Sequence, residues 1–159
     1  MHGGIYGMAD NRILVTKAAL QENDQADWNA FIQLLALTDY DELAPQQRAA
    51  HLVFWYESEV QNGGHLQYFT NNSYERSEEA LRSLVELGAD GHARVLGQAL
   101  TRWRSAARLR PADALEYVAV ALEAEFDDLD TAFHDCEVTL IQVLRRHFVE
   151  HEGKFIVRE

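Results

Sequence analysis

The stretch from Glu57 to Ser73 constrains the fold of this 159-residue chain more than any other. An apolar helical pattern runs into Asn62-Gly63-Gly64. A short piece with two aromatic rings follows, before Asn71 interrupts the chain again. Glycine is used where φ is positive or where another part of the protein approaches the backbone closely. We therefore expect a fixed backbone corner between a core helix and a short aromatic helix.

Apolar residues recur three and four positions apart on both sides of this corner, which is typical of amphipathic helices. We expect Gly63 to end the helix that starts at Pro45, and one long helix to carry a buried seam from Leu115 to Phe133. The pattern also predicts a short helix over Arg12–Leu20, a buried Val85 and a frayed end at 154–157. No βαβ pattern, sustained alternation or repeat is present, so the sequence predicts an all-α fold, an irregular bundle of seven or eight helices.

The length predicts one domain, or a core with a small N-terminal appendage. Residues 1–7 contain three glycines and show no periodicity, so we expect a flexible tail over 1–11 and a single helical domain over 12–159. The single cysteine, Cys136, fits a reducing cytoplasm. No signal peptide is visible and no apolar run approaches about 18 residues, so we expect a cytoplasmic protein without a membrane span.

The net charge is strongly negative, with 26 Asp and Glu against 14 Lys and Arg, or −12. A charge of this sign and size opposes direct binding to nucleic acid or to an anionic membrane. It favours a basic partner, or it only maintains solubility.

The acids are concentrated in one segment, because residues 113–137 contain nine acids and no Lys or Arg. Residues 91–112, just before them, contain five arginines and no acid. In one interpretation the two segments are neighbours and pair across the surface, which contributes little stability. In the other, acids at i, i+4 and i+7 form a row whose rise of about 6 Å per four residues resembles phosphate spacing. The residues expected to bind a partner are Glu123, Glu125, Asp127, Asp128 and Asp130.

Histidines raise the possibility of metal binding or catalysis. His147 and His151 are four residues apart, but a zinc site needs three or four ligands, and no HExxH or paired CxxC is present. His65, beside the glycines, is a candidate general base. No nucleophile elbow, phosphate loop or GxGxxG occurs, and Cys136 lies in an acidic segment that would raise its thiol pKa. We expect no metal and no cofactor, and an enzyme is the less favoured hypothesis.

The corner also carries a resemblance to a known family. Its residues follow the pattern acidic-x-x-Asn-Gly-Gly-x-x-Gln-aromatic-Phe, followed by Asn and Ser, which resembles the signature of a DNA-mimic-protein-like family of small, acidic, helical bacterial proteins. The family was defined as a domain of unknown function, and one member is described as a DNA mimic. The similarity covers most of residues 45–152. The signature positions here are Glu59, Asn62, Gly63, Gly64, His65, Gln67, Tyr68, Phe69 and Asn71.

The resemblance implies a protein-interaction module that occupies the DNA-binding groove of a basic regulator. The partner would then be a basic DNA-binding protein, with no direct binding to nucleic acid. The alternative is a small pocket protein or hydrolase centred on Asn62-Gly63-Gly64. A mimic's activity depends on its surface, so the motif alone does not decide between these functions.

Overall fold

The computed structural model describes residues 11–159, apart from the side chain of Arg108. Of the tail expected over residues 1–11, all but Asn11 lies outside the described part. The Asn11 side-chain amide donates to the Glu42 carbonyl.

The described residues confirm the predicted all-α bundle, with a helical content of 75%. Its eight α-helices are α1 Lys17–Glu22, α2 Ala26–Leu37, α3 Pro45–Asn71, α4 Tyr74–Glu86, α5 Asp90–Ser105, α6 Ala114–Leu122, α7 Asp127–His134 and α8 Leu140–His151. Three short 3₁₀ turns lie at Tyr40–Glu42, Ala107–Leu109 and Glu152–Lys154. Over residues 11–159, no helix combines the length and apolarity that a membrane crossing needs.

Helix α3 is the centre of the bundle and packs against α2, α4, α7 and α8. Pro45 occupies its first turn, where the missing N–H costs nothing. The buried Gln47 accepts a hydrogen bond from the Ala44 N–H at 3.0 Å and donates to the Lys154 carbonyl at 2.9 Å. One amide therefore fixes the start of α3 and ties it to the C-terminal segment.

The two ends of the described chain meet in a small sheet that the sequence did not predict. Strand β1, Ile13–Val15, runs parallel to β2, Ile156–Arg158, with Ile13 opposite Ile156. The expected helix over 12–20 is therefore wrong at its start, because α1 begins only at Lys17 after Thr16 caps it. The expected frayed end is also wrong, because β2 pairs with a strand about 140 residues away, and no local pattern reveals such a partner.

The expected long helix over Leu115–Phe133 is two helices. Ala124, at φ 55, has a left-handed conformation between α6 and α7, and it changes the direction of the chain. Leu129 and Phe133 of α7 remain buried, but on α6 only Val120 is. Leu115, Val118 and Leu122, expected in the seam, are 81%, 54% and 82% exposed.

The inward face of α4 is also rotated from the expected one. Val85, predicted to be buried, is 58% exposed. The residues of α4 that are buried are Ser77, Ala80, Ser83 and Leu84. Three of these four side chains are small, so α4 can approach its neighbours closely. The two serines satisfy their hydroxyls by donating to backbone carbonyls one turn earlier.

Candidate functional site

The Asn-Gly-Gly corner is a kink inside α3, not the helix end that the sequence predicted. Gly63 has φ −153° and ψ 20°, and Gly64 has φ 71° and ψ −173°. The conformation of Gly64 is essentially restricted to glycine. Helical hydrogen bonding resumes directly afterwards and continues to Asn71.

Both glycines lie against polar side chains that leave no room for a Cβ atom. A Cβ on Gly63 would overlap the Gln67 side chain, and one on Gly64 would overlap the Asp130 carboxylate. The glycine pair therefore permits both the turn of the backbone and the close approach of α7.

His65 lies directly after the kink and joins α3 to α7. Its side chain is fully buried. One oxygen of Asp130, Oδ1, accepts hydrogen bonds from the His65 backbone N–H at 2.9 Å and from Nδ1 at 2.6 Å. In a neutral imidazole whose Nδ1 donates to the carboxylate, Nε2 accepts from the Tyr56 hydroxyl, 2.8 Å away. Burial raises the Tyr56 pKa well above its ordinary value, so the phenol keeps its proton.

Four further signature side chains form a polar chain across the outside of the kink. Glu59 Oε2 accepts from Gln67 Nε2 at 2.8 Å and from Asn71 Nδ2 at 2.9 Å. Asn62 Nδ2 donates to Gln67 Oε1 at 3.2 Å. This chain bridges the helical segments before and after the glycines, so it holds the kink angle.

The last two signature residues are core aromatics. Tyr68 packs edge-on against Tyr56 with ring centroids 5.0 Å apart, and Phe69 stacks on Trp103 at 5.3 Å. Burial raises the Tyr68 pKa to about 12. The whole signature therefore has contacts within the chain that account for the kink.

The geometry of His65 does not resemble that of an exposed general base. Both ring nitrogens are engaged, and the imidazole lies among Phe69, Phe126 and Phe133. Only Asp130 reaches the surface, with a side chain 30% exposed. The triad of Tyr56, His65 and Asp130 is thus a buried connection between two helices.

Metal-ligating side chains are not gathered anywhere among residues 11–159 in groups of three or more. The rings of His147 and His151 lie 4.6 Å apart. Nε2 of His147 is buried without a hydrogen-bond partner, and burial is the main cause that lowers its pKa to about 4.

The five predicted partner-binding acids do not form one straight row, because the helix carrying them is broken. Glu123 is the C-terminal cap of α6, Glu125 lies in the turn, and Asp127 is the first residue of α7. Glu123 and Asp127 are exposed and Glu125 is half-buried.

The other two acids, Asp128 and Asp130, make contacts within the chain. Asp130 faces inward to His65. Asp128 accepts a bidentate hydrogen bond from Arg102 at 2.6 and 3.0 Å, and this bond lowers its pKa and raises that of Arg102. Arg102 also donates to the Glu125 carbonyl at 2.6 Å. The arginine segment and the acidic segment are therefore neighbours, and at least one pair forms between them.

Sequence reasoning missed Tyr56 and the inward role of Asp130. Tyr56 precedes His65 by nine residues, and the kink between them removes the helical phase that would relate the two side chains. Asp130 lies 65 residues beyond His65, on a helix whose phase depends on Ala124. The sequence does contain one signal for Asp130. It lies directly after Leu129 and three residues before Phe133, which places a carboxylate next to the apolar face of α7.

Comparison with known proteins gives one match. A family model described as DMP19-like protein matches residues 41–151. No curated protein sequence and no solved structure matches the chain. The matched region runs from just before α3 to the end of α8, so it contains the kink, the Tyr56–His65–Asp130 triad and the acidic segment. The chain therefore belongs to the DMP19-like protein family.

Proposed function

We propose that this protein is an acidic interaction module that binds the DNA-binding surface of a basic protein, with the α6–α7 segment as its contact region. The observation that carries the proposal is the concentration of exposed carboxylates there. No Lys or Arg occurs between Arg110 and Arg145. The exposed acids of this stretch are Asp113, Glu116, Glu123, Asp127, Asp128, Asp135 and Glu137.

Electrostatics favours this class of partner. A protein with this net charge repels DNA and attracts surfaces that have evolved to hold phosphates. Membership in the family supports the same function. The five acids expected to bind a partner therefore divide into two groups. In this proposal Glu123, Glu125 and Asp127 belong to the acidic contact surface. Asp128 forms an ion pair with Arg102, and Asp130 positions α7 against the kink.

A charge-removal variant tests the proposal in a pull-down from native lysate. Asp127→Asn, Asp135→Asn and Glu137→Gln remove three charges from exposed positions of the segment. A matched control, Asp24→Asn, Asp41→Asn and Glu22→Gln, removes three exposed charges from other elements. We expect the wild type and the control to retain DNA-binding proteins, which a salt gradient elutes as the Debye length shortens to about 3 Å at 1 M. The segment variant should lose those proteins.

Equal retention by both variants would contradict the proposal, and so would retained proteins that have no affinity for DNA. Thermal melting of both variants is the folding control, because exposed substitutions of this kind change stability by only about 0.5 kcal/mol.

A second candidate is a small-molecule pocket beside α3. A cavity of about 280 Å³ is lined by the signature residues Glu59 and Tyr68 and by His51. Asp39 and Arg76 line it as well, so the cavity offers hydrogen-bonding groups to a polar ligand. Native mass spectrometry tests this candidate. A co-purifying ligand that His51→Phe abolishes would favour the pocket function, whereas the mass of the bare chain in both proteins would oppose it.

A further inference from the structure

Helix α6 presents an apolar stripe to solvent. Leu115, Val118 and Leu122 are 81%, 54% and 82% exposed, and their spacing of three and four places them on one face. Leu14, Leu37 and Val85, which are also exposed, lie on three separate elements. A contiguous exposed stripe of this kind marks an interaction surface more often than scattered residues do.

Carboxylates lie at both ends of the helix that carries the stripe. Asp113 caps the start of α6, Glu116 lies in its first turn and Glu123 caps its end, and all three are exposed. No Lys or Arg occurs from residue 111 to residue 144. The surface of α6 thus has an apolar centre and an acidic rim at its two ends, which is the arrangement of a protein-binding patch with one preferred sign of partner charge.

This charge pattern indicates which kind of molecule can cover the apolar stripe of α6. A second copy of α6 would bring carboxylates against carboxylates. An anionic membrane would be repelled. A basic surface with apolar side chains at its centre satisfies both parts of the patch.

We propose that α6 is a docking helix for a basic protein segment whose apolar side chains cover Leu115, Val118 and Leu122, and whose Lys or Arg residues pair with the flanking carboxylates. This inference rests on the proposed function, since it specifies the chemistry of the partner's surface. Binding then has a salt-sensitive component from the rim and a salt-resistant component from the apolar centre. The second component distinguishes this helix from a purely electrostatic imitation of DNA.

Synthetic peptides of defined chemistry test the inference with the full chain. The probe is an amphipathic helical Leu/Lys peptide, compared with a Gln/Lys peptide of equal charge and a Leu/Glu peptide, each titrated by calorimetry at low and high salt. The stripe variant is Leu115→Gln, Val118→Thr and Leu122→Gln. The matched control, Leu14→Gln, Leu37→Gln and Val85→Thr, removes equivalent exposed side chains elsewhere.

We expect the wild type and the control to bind the Leu/Lys peptide at least about tenfold more tightly than the Gln/Lys peptide. The stripe variant should bind both peptides equally, and the Leu/Glu peptide should not bind. Unchanged melting of the stripe variant shows that the loss is not unfolding.

Three results would overturn the inference. One is equal binding of the two basic peptides by the wild type. The second is sedimentation as a dimer that the stripe variant dissociates, which would assign the stripe to a second copy. The third is stripe-dependent binding to phosphatidylcholine vesicles. Failure of the proposed function alone has a different signature, because the peptide preference would persist while no DNA-binding protein was retained from lysate.

Discussion

Gly64 is the residue on which the corner depends most directly. Its positive φ and its contact with the Asp130 carboxylate both exclude a side chain. Gly64→Ala should therefore destabilise the fold by about 1–3 kcal/mol, because the new Cβ strains the backbone and pushes α7 away from His65. Urea unfolding monitored by circular dichroism measures the difference.

Gly97→Ala in α5 is the matched control. Its Cβ would meet Leu81 at 3.9 Å, an ordinary contact, and a helix-interior alanine is favoured by about 0.5–1 kcal/mol. An equal effect of the two substitutions would show that the kink is not constrained in the way described.

Three histidines have pKa values that burial lowers, and they make the stability of the fold depend on pH. Burial lowers the pKa of His147 from its ordinary value of 6.5 to about 4, and burial also lowers the pKa values of His51 and His92. The unfolded chain therefore binds protons at a higher pH than the folded chain does. Stability should be unaffected by His147 above about pH 6.5 and should fall as the pH is lowered from there toward about 4.

Replacement of His147 should remove part of this slope. We expect His147→Gln to lose less stability than the wild type between pH 7 and pH 5 in urea unfolding, whatever its stability at pH 7. Val149→Gln, on the exposed side of α8, changes no titrating group, so it is the control and should keep the wild-type slope. A wild-type slope in His147→Gln would contradict the assignment.

The structural role of a residue could be predicted from the sequence where that role depends only on its own backbone conformation. The glycine pair identified the corner because the backbone angles of Gly64 are essentially restricted to glycine. The partners of His65 were not predictable, since Asp130 reaches it from another helix and Tyr56 reaches it across the kink.

At the level of elements, the break between α6 and α7 determines which side chains face solvent. Ala124 has φ 55°, which is unfavourable for an L-residue with a side chain. Ala124→Gly should relieve this strain and stabilise the fold by about 0.5–1 kcal/mol. Ala119→Gly, at an exposed interior position of α6, should instead destabilise it by a similar amount.

Chemical denaturation of the two variants makes this comparison. Destabilisation by Ala124→Gly would indicate a continuous helix through residue 124 and would return the acidic residues to a single row.

Helical periodicity predicted the bundle but not this break. The apolar pattern from Leu115 to Phe133 continues through residues 123–126 without a proline or glycine, so nothing local distinguishes one helix from two. The tertiary contacts that decide the matter include the Arg102 bond to the Glu125 carbonyl and the packing of Phe126 near His65. Both partners are distant in sequence.

At the scale of the whole molecule, the kink and the acidic surface are parts of one arrangement. The kink in α3 holds Asp130, Asp130 fixes α7, and the turn before α7 sets the direction in which α6 and its carboxylates face. The family signature thus supports the surface from which partner recognition is proposed, although its own side chains are mostly engaged within the chain. Sequence alone predicted the two regions but not their connection.

Competition with DNA tests the central claim most directly. A protein retained from native lysate by the full chain is eluted with a short DNA duplex, and in parallel with polyglutamate at the same charge concentration. We predict that the duplex releases the retained protein at a much lower concentration than polyglutamate does, because the chain and DNA occupy the same surface of the partner. A retained protein that binds the duplex and this chain together would contradict the account, since the acidic surface would then lie away from the partner's DNA-binding groove.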